Sequence, residues 1–200
     1  MSGRRVVVAT RNKGKLKEIL PLLAEVGVAF ELVTIDEVAP GVELVEDEAT
    51  FEGNALAKAR QAAAATGLPA LADDSGLEVD ALGGAPGVRS ARYAGEPSDD
   101  QKNNAKLLAA LAGVPTAKRT ARFRCVAAFV DSARHIELTR AGACEGLITE
   151  SPRGNLGFGY DPLFFVPSRN KTMSELPVDE KNRISHRAAA FRALAAVLPR

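Results

Sequence analysis

Asp73 and Asp74 stand side by side in Ala72-Asp73-Asp74-Ser75-Gly76, directly after the apolar run Leu68 to Ala72. Two neighbouring carboxylates at the end of an apolar strand are costly to bury, and a divalent cation would hold them while one polarises a water. Hard cations such as Mg²⁺ prefer oxygen ligands, and the acidic run Glu43 to Glu48 offers a further carboxylate. The same residue types also suit an Asp-Ser-Gly turn whose carboxylates cap the backbone. A second cluster, Thr10-Arg11-Asn12-Lys13-Gly14-Lys15, lies where a strand gives way to a helix. The amides that open a helix, its positive dipole end and two lysines suit a phosphate. The cluster is neither a Walker A loop nor a dinucleotide fingerprint, and an ordinary solvated turn would carry the same lysines.

Gly157-Phe158-Gly159-Tyr160-Asp161-Pro162 is a third cluster. Its glycines let backbone approach a flat ligand, a ring can stack on it, and Asp161 can accept from a base or sugar; the plain alternative is a turn covering a core edge. Lys181 with Ser185-His186-Arg187 is the fourth, near the start of the last helix. Lys and Arg suit phosphate or a purine carbonyl, and His186 a base, although a solvated helix face has the same look. His135 reads as a structural residue in a strand. Cation-rich turns, a paired carboxylate and an aromatic slot are together what Mg²⁺-dependent nucleotide hydrolysis requires. Neither Cys125 nor Cys144 has a partner pattern for nucleophilic or metal chemistry, so both read as small apolar strand residues in a reducing compartment.

The elements that must carry these residues are legible in the patterning. Arg5 to Ala9 is a β-branched run without alternation, as in a strand buried on both faces. Leu16, Ile19, Leu20, Leu23 and Val26 follow at helical spacing up to a stop at Gly27, with Pro21 predicting a kink or break. Ala29 to Ile35 reads as a strand. A helix bearing Phe51, Ala55, Leu56 and Ala59 ends at Gly67, and Leu68 to Ala72 and Gly76 to Leu82 read as two short strands. Ser98 and Gln101 predict a capping box ahead of Leu107, Leu108 and Leu111. Thr120 to Val130 alternates as a long strand, turns at Asp131 to Arg134 and pairs with a strand from His135 to about Ala143. Ser151 to Tyr160 reads as a Gly-rich loop, Leu163 to Val166 as a strand, and a helix with Ala190, Phe191, Leu194 and Leu198 closes the chain. This order predicts an α/β fold with a central mixed sheet flanked by helices.

With 200 residues and 46% hydrophobic composition the chain can fill one sizeable domain or two packed lobes. Its 26 basic and 25 acidic residues leave a net charge of +1, which disfavours duplex nucleic acid or an anionic membrane as a partner. The apolar run Val6 to Thr10 is too short for a signal-peptide core, and no segment nears the roughly 20 apolar residues of a membrane span, so a cytoplasmic protein is expected.

Six ordered blocks resemble the inosine triphosphate pyrophosphatases, also called dITP/XTP pyrophosphatases. They are Ala9 to Glu18; Thr50-Phe51 with Asn54-Ala55 and Lys58-Ala59; Ala72 to Leu77; Gly83 to Gly87 with Ser90 to Tyr93; Gly157 to Pro162; and Ile184 to Arg187. The resemblance implies Mg²⁺-dependent hydrolysis of ITP, dITP and XTP to the monophosphate and pyrophosphate, clearing deaminated purines. It also implies two lobes around a substrate groove, one catalytic domain over residues 1–200 and a homodimer. By the same match Thr10, Arg11, Asn12, Lys13, Gly14 and Lys15 hold the triphosphate, and Asp74 is general base and metal ligand. Ser75 touches substrate, and Phe158, Gly159, Tyr160, Asp161, Lys181, His186 and Arg187 line the nucleotide pocket. Glu46 is taken as the second metal carboxylate, with Glu43 and Glu48 as alternatives, because Asp47-Glu48 replaces the family's Gly-containing turn.

On this reading His186 and Arg187 face the 6-oxo group that adenine lacks, since a buried donor left unpaired costs about 1–3 kcal/mol. Three rivals are a Maf-like pyrophosphatase acting on dTTP and UTP, a non-catalytic nucleotide-binding module, and a nucleic-acid-binding domain. Turnover of ITP against dTTP separates the first; Asp73 and Asp74 argue against the second, and the charge balance against the third.

Overall fold

The computed structural model describes residues 4–25 and 30–199. Along the chain run β1 (Arg4–Val8), α1 (Lys13–Glu25), β2 (Phe30–Thr34), α2 (Ile35–Val38), α3 (Phe51–Thr66) and β3 (Ala70–Val79). They are followed by α4 (Asp100–Ala110), β4 (Thr120–Asp131), β5 (Ile136–Ile148), β6 (Phe164–Val166), β7 (Lys171–Thr172), α5 (Val178–Ile184) and α6 (His186–Ala195). The strands form one sheet in the order β2-β1-β3-β4-β5-β6-β7. β1 is parallel to β2 and β3, whereas β5, β6 and β7 pair antiparallel, so the sheet is mixed as the pattern predicts.

The chain divides into two compact units, one of Met1–Asp74, Cys125–Gly142 and Arg187–Arg200, the other of Ser75–Arg124 and Ala143–His186. The core of the first collects Val6 and Val8 of β1, Leu71 of β3, and Cys125, Ala127 and Phe129 of β4. Ile19 and Leu23 of α1 and Ala190, Phe191 and Leu194 of α6 complete it. This packing fixes α1 and α6, the two helices whose first turns carry the cations of interest. Phe129 is fully buried there, so Phe129→Ala is expected to cost about 3–5 kcal/mol, read from urea unfolding. The core of the second unit gathers Leu77, Val79, Leu107, Phe123, Ile148, Leu163, Phe164 and their neighbours. Both cysteines are free and buried, as expected of small apolar residues, and burial pushes the Cys144 thiol up to about 11.

Several elements differ from the sequence reading. α1 runs unbroken through Pro21, because Pro21 and Lys17, whose carbonyl loses its donor, are both exposed to water. Leu20 is also exposed, and Leu22 takes the core position beside Leu23. Val26, the stop at Gly27 and the strand start at Ala29 lie outside the described residues. β3 is one strand rather than two, so Asp73 to Gly76 is strand and not turn. The cap of α4 is Asp99, which accepts from the Lys102 N–H at 3.0 Å, while Ser98 donates to the Ala91 carbonyl. β5 extends to Ile148, and His135 precedes it with a positive φ of 55° and an exposed side chain. Lys181 sits on α5, separated from α6 by the extended Ser185.

Candidate active site

The turn between β1 and α1 is organised by its own side chains. Thr10 Oγ1 accepts from the Asn12 N–H at 3.2 Å, and Asn12 Oδ1 from the Lys15 N–H at 3.1 Å, so Asn12 opens the helix and Lys13, Gly14 and Lys15 form its first turn. Arg11 is turned to α2, donating to Asp36 at 2.8 Å and to the Pro40 carbonyl at 3.0 Å. Lys13 is exposed, whereas Lys15 reaches Asp73 Oδ2 at 3.0 Å.

Successive side chains of a strand point to opposite faces, so Asp73 and Asp74 serve two different charge clusters. Asp73 Oδ2 receives Lys15 and the Arg187 Nε at 3.4 Å, and the Cys125 thiol lies 3.8 Å away. Arg187 also donates to Glu18, and is only 2% exposed. Burial alone would push the Asp73 carboxyl up, but Lys15, Arg187 and Lys58 outweigh it and hold it well below the usual carboxylate range. Asp74 goes the other way. Burial and the neighbouring Glu46 raise it against the opposing pull of Lys58 and Lys15. Its Oδ2 accepts from Asn54 Nδ2 at 3.0 Å and its Oδ1 from Lys58 Nζ at 3.3 Å.

The same Lys58 ammonium donates to Glu46 Oε1 at 2.6 Å, so Glu46 and Asp74 meet on one cation. Burial would lower the Lys58 pKa, yet Asp74, Asp73 and Glu46 raise it, and the lysine stays charged. The acidic loop is pinned to α3 on either side of Glu46. Gln61 exchanges hydrogen bonds with the backbone of Val45 at 2.8 and 3.2 Å, and the Glu48 N–H donates to Asn54 Oδ1 at 3.0 Å. Of the three glutamates weighed for the metal, this register sends Glu46 to Lys58 and Asp74; Glu43 and Glu48 are exposed. Among the described residues no three His, Cys, Asp or Glu side chains gather to hold a metal unaided. The oxygen donors present are the carboxylates of Glu46 and Asp74, which meet on Lys58. Such an oxygen set fits a hard cation that completes its shell with water and substrate phosphates.

The second unit holds the other residues singled out. Asp161 Oδ2 accepts from Lys181 Nζ at 2.7 Å and from the Phe158 N–H at 3.0 Å, and the Lys181 ammonium lies 5.6 Å from the centre of the half-buried Phe158 ring. A carboxylate that closes its own turn and a cation over an aromatic face make a preformed slot edge. The peptide of Gly159 is held at both ends by α4, its N–H by Asp100 at 2.7 Å and its carbonyl by Asn104 at 2.9 Å. Tyr160 is turned into the core, where its hydroxyl donates to the Ser90 carbonyl at 2.8 Å. The His186 ring stacks on Phe123 with centroids 4.8 Å apart, and Ser75 is half-buried on β3.

Gly157 has a φ of 80°, and a Cβ there would collide with the Asp161 carboxylate. Gly157→Ala is therefore expected to displace Asp161 and Lys181 and to destabilise the fold by about 1–3 kcal/mol, read from a thermal melt.

Thus Lys15, Glu46, Asp74 and Arg187 share the linked clusters of the first unit, and Phe158, Asp161 and Lys181 share one in the second. Lys58, Asn54 and Glu18 stand in the blocks that carry the resemblance, but the sequence reading assigns them no role in the site. Asn54 and Lys58 had a signal: they sit four residues apart in register with Ala55, Ala59 and Ala62, on the buried face of α3. Glu18 had none, because it reads as a surface residue between Lys17 and Ile19.

Paired carboxylates and a lysine-bearing helix start in the first unit, and a cation over an aromatic ring in the second, are groups suited to nucleotide hydrolysis, and similarity to known proteins narrows this. The chain belongs to the Ham1 family, whose family model matches residues 6–197. A protein of Desulforamulus reducens named dITP/XTP pyrophosphatase is 53% identical over 196 residues, covering 98% of this chain and 96% of its own. The structure of a HAM1 protein from Coxiella burnetii matches with a TM-score of 0.86 at 43% identity, over 97% of this chain and 98% of that one. A nucleoside-triphosphatase / dITP/XTP pyrophosphatase from Mycobacterium abscessus matches with a TM-score of 0.75 at 44% identity, over 98% of both chains.

Proposed function

We propose that this protein hydrolyses the non-standard purine nucleoside triphosphates ITP, dITP and XTP to the monophosphate and pyrophosphate. The observation that carries the reading is the meeting of buried Asp74 and half-buried Glu46 on the Lys58 ammonium, in the unit where α1 opens with Lys13 and Lys15. Names borne by relatives at about half identity over nearly the whole chain supply the substrate class.

Asp74 holds a water and takes its proton as the water attacks the α-phosphorus, a task suited to a carboxylate whose basicity is raised by burial. Lys13, Lys15 and the α1 amides neutralise charge developing on the pyrophosphate that leaves. Mg²⁺ bound by Glu46, Asp74 and substrate phosphates would neutralise charge and gather the reacting oxygens. Thr10 and Asn12 keep the turn in shape, and Arg11 anchors it to α2. Phe158 stacks on the purine, Lys181 and Asp161 bind its polar edge, and His186 faces the 6-oxo group. Arg187, engaged by Asp73 and Glu18, acts by fixing Asp73 rather than by reading the base.

The same reading takes residues 1–200 as one catalytic domain that works as a cytoplasmic homodimer; among the described residues no helix is long and apolar enough to cross a membrane. Pyrophosphate release from ITP, dITP, XTP, GTP and ATP with Mg²⁺ tests it. The first three are expected to exceed ATP in kcat/KM by at least about tenfold, since the site's donor is unpaired with adenine. ATP as the best substrate would overturn the reading.

A further inference from the structure

Asn54 is 1% exposed and uses both ends of its side-chain amide. Nδ2 donates to Asp74 Oδ2, and Oδ1 accepts from the Glu48 N–H, each at 3.0 Å. One rigid planar group therefore spans the carboxylate of β3 and the backbone of the acidic loop. Donation to Oδ2 leaves Oδ1 of Asp74 as the atom facing Lys58. Acceptance from Glu48, with Gln61 gripping Val45, sets the loop register that brings Glu46 to the same lysine. Neighbouring side chains match this demand. A Cβ at Gly53 would crowd Glu48 Cβ at 2.9 Å, so the loop lies against the first turn of α3 only because residue 53 has no side chain. Aspartate offers no donor to Asp74, serine cannot bridge both partners, and glutamine carries its amide one bond too far.

We infer that Asn54 is a positioning residue, which orients the Asp74 carboxylate and sets the register of the acidic loop so that Asp74 and Glu46 present their oxygens together. The inference rests on the reading of Asp74 as the base. Removal of such a partner to a ligating or catalytic carboxylate costs about 10–100-fold in activity or metal affinity.

Two variants separate the two bonds. Asn54→Asp keeps an acceptor for the Glu48 N–H but offers no donor to Asp74 and sets a like charge against it. It is expected to retain slow hydrogen exchange in a peptide spanning residues 43–50 and to lose kcat for ITP by about 10–100-fold, with KM near parental. Asn54→Ala lacks both bonds, and is expected to show fast exchange in that peptide together with a similar loss of kcat. Should the like charge unfold Asn54→Asp, the alanine variant carries the test, with kcat corrected for the folded fraction from a thermal melt. Near-parental kcat, or parental exchange in Asn54→Ala, would overturn the inference. Asp74→Asn run in parallel keeps the two readings apart. If it is inactive while the Asn54 variants turn over normally, only the role of Asn54 fails; if it is active, the base assignment itself fails.

Discussion

Asp74→Asn is expected to lower kcat for ITP by about 10²–10⁴-fold while the protein stays folded. The side chain keeps its shape, and an amide oxygen can still accept from Lys58 or Asn54, so the packing of β3 against α3 is little disturbed. What disappears is charge. Burial and Glu46 raise the Asp74 carboxyl from its ordinary value, which makes the carboxylate a stronger base than an exposed aspartate, and an amide accepts no proton from water. It is also a poor partner for a hard cation beside Glu46. Single-turnover pyrophosphate release with a parallel thermal melt checks the result, and near-parental turnover would remove Asp74 from the base role. The control is informative because Lys58 keeps Glu46 as an ion-pair partner in the variant, so no cation is stranded.

Arg187→Ala is expected to destabilise the fold by about 3–5 kcal/mol, the range for breaking a buried ion pair by removing one partner. Arg187 bridges Glu18 of α1 and Asp73 of β3 from the first turn of α6, and all three side chains are at most 5% exposed. Without the guanidinium, Glu18 loses its charged partner in that cluster and Asp73 retains Lys15 as its nearer cation. Urea unfolding measures the loss. A change below about 1 kcal/mol would show that the cluster is solvated and the guanidinium dispensable. The same variant, assayed below its melting temperature, also tests how the base is read. Because Arg187 is engaged by carboxylates of the first unit, the ratio of ITP to ATP turnover is expected to stay near parental; a collapse of that ratio would return Arg187 to the 6-oxo group.

These two positions show how far local pattern reaches. The adjacency of Asp73 and Asp74 was visible in the chain, and so was the chemistry that two carboxylates invite. Their division of labour was not. Whether Asp73 to Gly76 is a turn or a strand decides whether the two side chains share a site or face opposite ways, and short-range propensity leans to the turn because Asp, Ser and Gly favour it. The strand prevails because Leu77 and Val79 bury in the second core while Ala70, Leu71 and Ala72 are buried at the start of the same strand, a tertiary demand that overrides propensity. Pro21 is a similar case in the other direction, since a helix tolerates proline where the orphaned carbonyl faces water.

The turn at Thr10 to Lys15 needed little beyond the chain itself. Its hydrogen bonds span two or three residues, so the local spacing of Thr, Asn and Lys settles its shape. The same holds for the Gly157 to Asp161 turn, where the Phe158 amide finds Asp161 three residues on. Which of Glu43, Glu46 and Glu48 reaches Lys58 belonged to tertiary structure. It depends on Asn54 and Gln61 gripping the loop, and on Lys58, 16 residues from Asp74 along the chain, rising between the two carboxylates. Arg187 and Glu18 are 169 residues apart, and nothing in either neighbourhood announces the other.

The sequence by itself determined the kinds of group available, most of the helices and strands and the family to which the chain belongs, because these follow from residue type and short spacing. Tertiary structure alone decided which carboxylate meets which cation, and hence which aspartate is held low and which is raised. Buried ions must be paired to be tolerated at all, and their partners are chosen by how α1, α3, β3 and α6 pack, not by their distance along the chain.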